Sequence, residues 1–237
     1  MAKKIRIGSL VSSGGSALIS AHEIFNKAYP NMLELYVVTD RECGIENYCR
    51  LNNIAHKRIV EKDRAILSKK IADHFDDIGE IDVVVLFFMR IVAEELFKKH
   101  MTLNFHPSIL PDFPGANAVR QALNAKAEYL GVTLHMVDEI LDGGQIIVQT
   151  TAKLPAGIEE PEAESLSFCQ KIYLTLWLFQ NMQDSRILFK WDKKKGFLAK
   201  LKGDHIVSLD ADIEELYKER ITQLGYGKFL NLIIKSK

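Results

Sequence analysis

The chain has 237 residues, 47% of them hydrophobic and 26% charged, with Lys+Arg 31 against Asp+Glu 31. That is the composition of a globular protein with a sizeable core, and its zero formal charge argues against a nucleic-acid scaffold. No run approaches the ~18 apolar residues of a membrane-spanning helix.

Cys43, Cys49 and Cys169 form no C-x-x-C pair and no zinc or disulfide pattern, so a reducing cytoplasm is expected and no metal. Residues 1–4 are basic, but the apolar run after them breaks at Ser12 to Ser16 and reads as a first strand rather than a signal peptide.

In chain order, the apolar run 5–11 predicts a strand, Ser-Ser-Gly-Gly-Ser a turn, and 17–28 a helix with Ser16 as its N-cap. Backbone N–H groups around Gly14 to Ala17 would face an anion there. The glycines match neither G-x-G-x-x-G nor a P-loop, and helix packing alone can also require them. A strand at 33–38, a helix at 45–51 and a short strand at 57–60 follow. The helix at 63–75 takes Asp63 as its cap. Residues 82–88 are almost continuously apolar, as a central parallel strand covered on both faces must be. They run into Met89, Arg90, Ile91 and Val92, then a helix at 93–99.

Leu103 to Gly115 is the most informative stretch. Asn104 and His106 alternate with Leu103 and Phe105, which puts an amide and an imidazole on one face of a strand end. Pro107, Pro111 and Pro114 stiffen the loop that follows, because proline fixes its own φ and restricts the residue before it. Such a pair on a rigid support suits oxyanion stabilisation; a buried histidine satisfied by a neighbour is the plainer reading. After a helix at 117–124, strands at 131–137 and 145–150 form a hairpin whose loop presents Asp142. That carboxylate is either a turn former or the partner that orients His106 and takes up a proton. His135 reads as a satisfied core or supporting histidine.

Residues 161–182 form one long helix with core spacing. A hairpin at 186–190 and 197–201 follows, with Lys193 to Lys195 as its solvated tip. A further strand at 205–209, a capped helix at 210–221 and an apolar run at 229–234 end the chain. That run must pack on the domain or on a second subunit, and it motivates the expectation of a homodimer. The glycine turn, Met89 to Val92 and Asn104/His106 all fall at strand ends, where open α/β sheets bind ligands.

Leu-Asn-Phe-His-Pro-Ser-Ile-Leu-Pro-x-Phe-x-Gly, Gly-Val-Thr-Leu-His-Met-Val and Leu-Asp-Gly-Gly-x-Ile-Ile-x-Gln together resemble the folate-dependent formyltransferase family. The resemblance is strong over 83–150, fair over the first strand and loop, and poor after Pro155. It implies an open, mostly parallel twisted α/β sheet with helices on both faces, a Rossmann variant, plus a small C-terminal hairpin and helix extension. The expected organisation is a catalytic core at 1–155, a long helix at 156–183 completing it, and the extension at 184–237. It also implies transfer of a formyl group from N10-formyltetrahydrofolate to a primary amine, with Asn104, His106 and Asp142 catalytic. Met89, Arg90, Ile91, Val92, Ile140, Leu141 and Asp142 would hold the folate, the backbone at Met89, Arg90 and Val92 cradling the pterin. Ser13, Gly14, Gly15, Ser16, Ala17, Pro107 and Ser108 would hold a phosphorylated or nucleotide-linked amine. No metal, nucleic acid or membrane is implied.

For the acceptor, Ala17 stands where purine-pathway members carry an Asn, and Tyr173-Leu174 where they carry Tyr-Pro. A nucleotide-linked amino sugar is therefore the first expectation and glycinamide ribonucleotide the alternative. A folate-binding protein without turnover would not need all three catalytic groups. A dinucleotide oxidoreductase lacks its glycine fingerprint.

Overall fold

A computed structural model describes residues 4–192, 196–202 and 207–234. Its centre is an eight-stranded sheet in the order β10-β7-β6-β5-β4-β1-β2-β3. Strands β1 (Ile5–Val11), β2 (Leu33–Thr39), β3 (Ala55–Arg58), β4 (Val83–Phe87) and β5 (Thr102–His106) run parallel. Then β6 (Tyr129–Met136), β7 (Ile146–Lys153) and β10 (Ile233–Ile234) continue the sheet antiparallel. The open, mostly parallel α/β sheet expected from the sequence is present, and so is the C-terminal hairpin, β8 (Ile187–Asp192) with β9 (Gly196–Leu201).

Strand alternation sends two sets of side chains to two helix layers. Ile7, Val11, Val85, Leu103, Phe105 and Leu134 pack with α1 (Ser16–Ala28), α6 (Glu160–Gln183) and α7 (Ala211–Gln223). Leu10, Val38, Val84 and Leu86 face α3 (Arg64–Ile78) and α4 (Glu94–Phe97) on the other side. Two short helices complete the set, α2 (Ile45–Leu51) and α5 (Ala118–Asn124). Asn104, His106 and His135 belong to the α3/α4 face but lie on β5 and β6, beyond the strands whose residues those helices cover.

Several local expectations change. Ser16 is the first residue of α1, not its cap; the cap position is Gly15 in the left-handed region at φ 67, with no side-chain cap bond. A Cβ at Gly15 would come within 2.6 Å of the Ile45 side chain, so the turn needs glycine twice over. Asp63 does cap α3, accepting from the Ile66 N–H at 2.9 Å. Asp210 precedes α7 without a cap bond, because its carboxylate accepts the Tyr29 hydroxyl at 3.0 Å. The edge strand β3 starts two residues earlier than its apolar pattern indicates, and α4 is only four residues long. Val207 to Leu209 form no strand. His205, Ile206 and the Lys193 to Lys195 tip lie outside the described residues.

The terminal apolar run packs on its own domain. Phe229 is buried in the α1/α6 core, and Ile233 pairs with Ala152. The homodimer expectation thereby loses the exposed surface that motivated it. Among the described residues no helix is long and apolar enough to cross a membrane.

Buried His22 links α1 to α2. Asn26 donates to its Nε2 at 2.9 Å, so Nδ1–H donates to the Tyr48 hydroxyl at 2.8 Å. Burial pushes the imidazole down from 6.5 to about 4. Because the folded value is the lower one, the neutral ring's contribution is complete above pH 6.5 and disappears as pH falls towards 4. Denaturant melts should show stability falling by up to ~1.4 kcal/mol per pH unit through that window on account of this group. A His22→Gln variant should show a flatter decline; an equally steep one counts against the assignment.

Candidate active site

Three adjacent strands, β1, β4 and β5, deliver their carboxyl ends to one place. The turn after β1, the segment after β4 and the proline loop after β5 line a single cavity of about 1120 Å³, closed on a fourth side by the loop between β6 and β7. A crevice outside parallel strand ends is where this sheet topology leaves backbone groups and loops to meet a ligand.

Asp142 is the hub. It sits in that fourth loop at φ 54, and its side chain is 7% exposed. Oδ2 accepts the Gly115 N–H at 2.8 Å and lies 3.4 Å from His106 Nδ1. Oδ1 lies 3.5 Å from Asn104 Nδ2 and 3.6 Å from His135 Nε2. The amide, imidazole and carboxylate expected to meet therefore do meet, beside an open cavity.

Hydrogen-bond partners set the imidazoles. A carbonyl only accepts, so His106 Nε2–H donates to Phe113 O at 2.8 Å and Nδ1 is the nitrogen turned to Asp142. His135 Nδ1–H donates to Met136 O at 2.8 Å, which leaves Nε2 to accept from Asn104 Nδ2 at 3.2 Å. Burial lowers the His135 pKa and outweighs the pull of the Met136 carbonyl and of Asp142 in the other direction. His135, read from sequence as a supporting or core histidine, is 2% exposed and fixes the Asn104 amide.

The proline loop is held by more than its prolines. Ser108 Oγ–H donates to Asp112 O at 2.6 Å, Thr133 Oγ–H to Ser108 O at 2.7 Å, and Leu110 N–H to Thr133 Oγ1 at 3.0 Å. Ser108 is therefore 1% exposed and off the cavity wall, so its expected ligand contact is corrected to a loop brace. Gly14 is likewise not on the wall, whereas Ser13, Gly15, Ser16, Ala17 and Pro107 are. Met89, Arg90, Ile91, Val92, Ile140 and Leu141 all line it. The Met89 N–H, however, already donates to Ser12 Oγ at 3.2 Å. The Arg90 guanidinium donates to the carbonyls of Glu61 and Lys62 at 2.6 and 2.8 Å, pinning this segment to the stretch just before α3.

Sequence reasoning missed part of the wall. Glu164, Ser167, Phe168 and Lys171 line it from one face of α6. Their only signal is that they fall at i, i+3, i+4 and i+7 off the apolar stripe. The Gly115 amide carries no side-chain signal at all.

A family model described as Formyl transferase matches residues 6–165. The chain is 31% identical over 165 residues to the trifunctional purine biosynthetic protein adenosine-3 of Bos taurus, an alignment covering 65% of this chain and 16% of that protein. It is 42% identical over 93 residues to the phosphoribosylglycinamide formyltransferase of Escherichia coli (strain K12), covering 38% of this chain and 43% of that one. The chain thus spans only a small part of the first relative and less than half of the second. The fold superimposes on glycinamide ribonucleotide transformylase 1 from Symbiobacterium toebii with TM-score 0.72 at 24% identity, over 79% of this chain and 91% of that chain. It also matches a formyltetrahydrofolate deformylase from Pseudomonas syringae pv. tomato with TM-score 0.72 at 20% identity, over 83% and 66%.

The His135 assignment has a direct spectroscopic consequence. Ring nitrogen shifts should show a neutral, Nδ1-protonated imidazole that titrates below the usual histidine range of about 6.5. An imidazolium at neutral pH would contradict the acceptor role given to its Nε2.

Proposed function

The chain belongs to the formyl transferase family, and from that premise we propose that it moves a formyl group from N10-formyltetrahydrofolate to the primary amine of a phosphorylated acceptor. The observation that carries this reading is the position of Asn104, His106 and Asp142 between two unlike halves of one cavity.

The first half is apolar. Met89, Ile91, Ile140 and Leu141 line it while 77%, 53%, 69% and 55% exposed. Large apolar side chains left open around a slot gain most from covering by a flat ring system such as a pterin. The second half is built for an anion. Its wall holds the start of α1, whose first amides have no side-chain cap, and the Lys171 ammonium. The Lys171 ammonium makes no hydrogen bond among the described residues, and burial lowers its pKa against the pull of the Glu164 charge. A phosphate placed there would satisfy both the ammonium and the helix amides.

Between the halves, the neutral acceptor amine attacks the formyl carbon. A C–N bond forms to the amine as the bond from the formyl carbon to N10 breaks. Negative charge develops on the formyl oxygen, toward which the Asn104 amide would donate. Its long 3.5 Å contact to Asp142 is the one it can exchange for that oxygen, while His135 keeps the other amide hydrogen. His106, held at Nε2 by Phe113 O, presents Nδ1 to the same region and supplies a second donor when protonated. Asp142 accepts the proton the amine must lose, directly or through water, and the proton ends on N10 of the leaving tetrahydrofolate.

Phosphoribosylglycinamide is the best-supported acceptor. It is in the name of the Escherichia coli relative, and none of the relatives described above names an amino sugar. The amino sugar first expected rests on departures from the purine-pathway pattern, chiefly Ala17 and Tyr173-Leu174; Ala17 adds no side-chain donor to the turn, and Lys171 on α6 brings a charge to the same cavity instead.

Conversion of N10-formyltetrahydrofolate, followed by its ultraviolet change, should require phosphoribosylglycinamide and not a nucleotide-linked amino sugar. The reverse preference would overturn the acceptor, and equal donor loss without any amine would indicate hydrolysis. Asn104→Ala should lower kcat by ~10²–10³ and His106→Ala by at least ~10², with folding intact. Lys171→Met should raise the acceptor KM by ~10–100-fold while leaving the donor KM alone, the loss of one charged contact. An unchanged acceptor KM would remove the ammonium from the site.

A further inference from the structure

The β8–β9 hairpin lies outside the residues the family model matches, yet it is bonded to the loop that carries Asp142. Gln145 Nε2–H donates to Ala199 O at 2.9 Å, and the Ala199 N–H donates to Gln145 Oε1 at 3.3 Å. Ala199 stands opposite Phe189 in the hairpin. Both of its backbone groups nevertheless turn away from β8 to this one side chain. The Gln145 amide thus satisfies the outer edge of β9 as a neighbouring strand would.

The same residue closes the loop. Gln145 O accepts the Met136 N–H at 2.9 Å, joining the two feet of segment 137–144. That neck is tight: a Cβ at Gly144 would come within 2.0 Å of Met136 O. On the far side the loop is tied to α4 by the Lys98–Glu139 ion pair, at 2.8 Å. The hairpin itself is anchored, since Phe189, Phe197, Ala199 and Leu201 pack against the main core. The loop that holds Ile140, Leu141 and Asp142 is therefore braced from a part of the chain that carries no cavity residue.

We propose that Gln145 is a positioning residue, through which the β8–β9 hairpin holds the 137–144 loop in the conformation that receives the formyl donor. The inference rests on the function proposed above only for the identity of that donor. The brace itself is a matter of loop order. Two exposed neutral hydrogen bonds together can alter the ordered fraction of a loop by a factor of about ten. Their loss falls on donor binding, because the donor is what the loop covers, and spares the acceptor half of the cavity.

The test removes the pair from each side. Gln145→Ala deletes the side-chain amide. Ala199→Pro deletes the N–H from the hairpin, at an outward-facing edge position where proline is tolerated. Amide hydrogen exchange over 137–144 should accelerate about fivefold or more in both variants, with little further change when they are combined. With N10-formyltetrahydrofolate as substrate, the donor KM should rise about five- to tenfold in each, the acceptor KM should stay put, and kcat at saturating donor should hold within about twofold. Gln145→Glu keeps an acceptor for the Ala199 N–H but sets a carboxylate oxygen against Ala199 O, so it should accelerate exchange at least as much as Gln145→Ala. A general loss of structure would instead lower the melting temperature and move both KM values. Unchanged exchange in either single variant, or fully additive effects in the double variant, overturns the brace. If the unaltered protein consumes no formyl donor while exchange responds as described, the proposed function fails and the brace stands.

Discussion

A nearly buried carboxylate has to be compensated, and the compensation of Asp142 organises this molecule. Removing a charge from water costs several kcal/mol unless hydrogen bonds or opposite charge replace the lost hydration. Here the donors come from separate parts of the chain, the Gly115 N–H from the proline loop and the Asn104 amide from β5, while the rings of His106 on β5 and His135 on β6 close the remaining sides. Each approach is individually ordinary. Together they specify how three segments sit relative to one another, and so define the wall between the two halves of the cavity. Asp142 itself is in the left-handed region, a strain that the bond to Gly115 and the tight neck at Gly144 help to hold.

The sheet makes this convergence possible by turning from parallel to antiparallel pairing after β5. Through β5 it is parallel, so the carboxyl ends of β1, β4 and β5 open on the same side. A parallel partner next to β5 would need a helical crossover. The antiparallel β6 instead sets His135 directly opposite Asn104 in register, on the same face. The helices of that face pack over the parallel half, leaving β5 and β6 to be covered by loops. An imidazole and an amide on an unroofed face, with a loop folding back over them, follow from the strand order and the alternation of side chains. The chemistry is placed by topology before any one contact is counted.

Much of this was legible in the sequence because it rests on period and apolar content. The continuous run of β4, the alternation at Leu103 to His106, and the helical spacing of α3 and α6 are strong signals, and the elements formed where those signals lie. What was not legible depended on backbone conformation or on choices between partners. Ser16 looked like a cap, but the left-handed Gly15 already turns the chain into α1, so no side chain is required. Asp210 had a distant alternative in Tyr29, 181 residues away, and took it. Ser108 and Met89 carry groups suited to a ligand, yet each spends them locally, on Asp112 and Ser12. Lys171 was hidden for the opposite reason. A lone lysine off the stripe of a long core helix reads as solvated, and only the approach of α6 to the first turn makes it part of a wall.

Burial of His135 connects packing to chemistry. An amide can rotate by half a turn at almost no cost in shape, so something must decide which end of Asn104 faces the cavity. The decision is made by a ring nitrogen that accepts, and it accepts only while the imidazole is neutral. Were His135 protonated, Nε2 would become a donor, would face two amide hydrogens, and would favour the flipped amide with its oxygen inward. The flipped amide would then present oxygen rather than N–H toward the cavity, and in the reaction proposed above would turn a stabiliser of negative charge into a repulsive group. Burial on β6, by lowering the pKa of the ring, keeps that inversion out of the neutral range even with Asp142 3.6 Å away pulling the other way. The apolar packing beneath β6 therefore bears on the proposed reaction without reaching the cavity: it holds one proton off one nitrogen, and that sets the direction of the donor beside it.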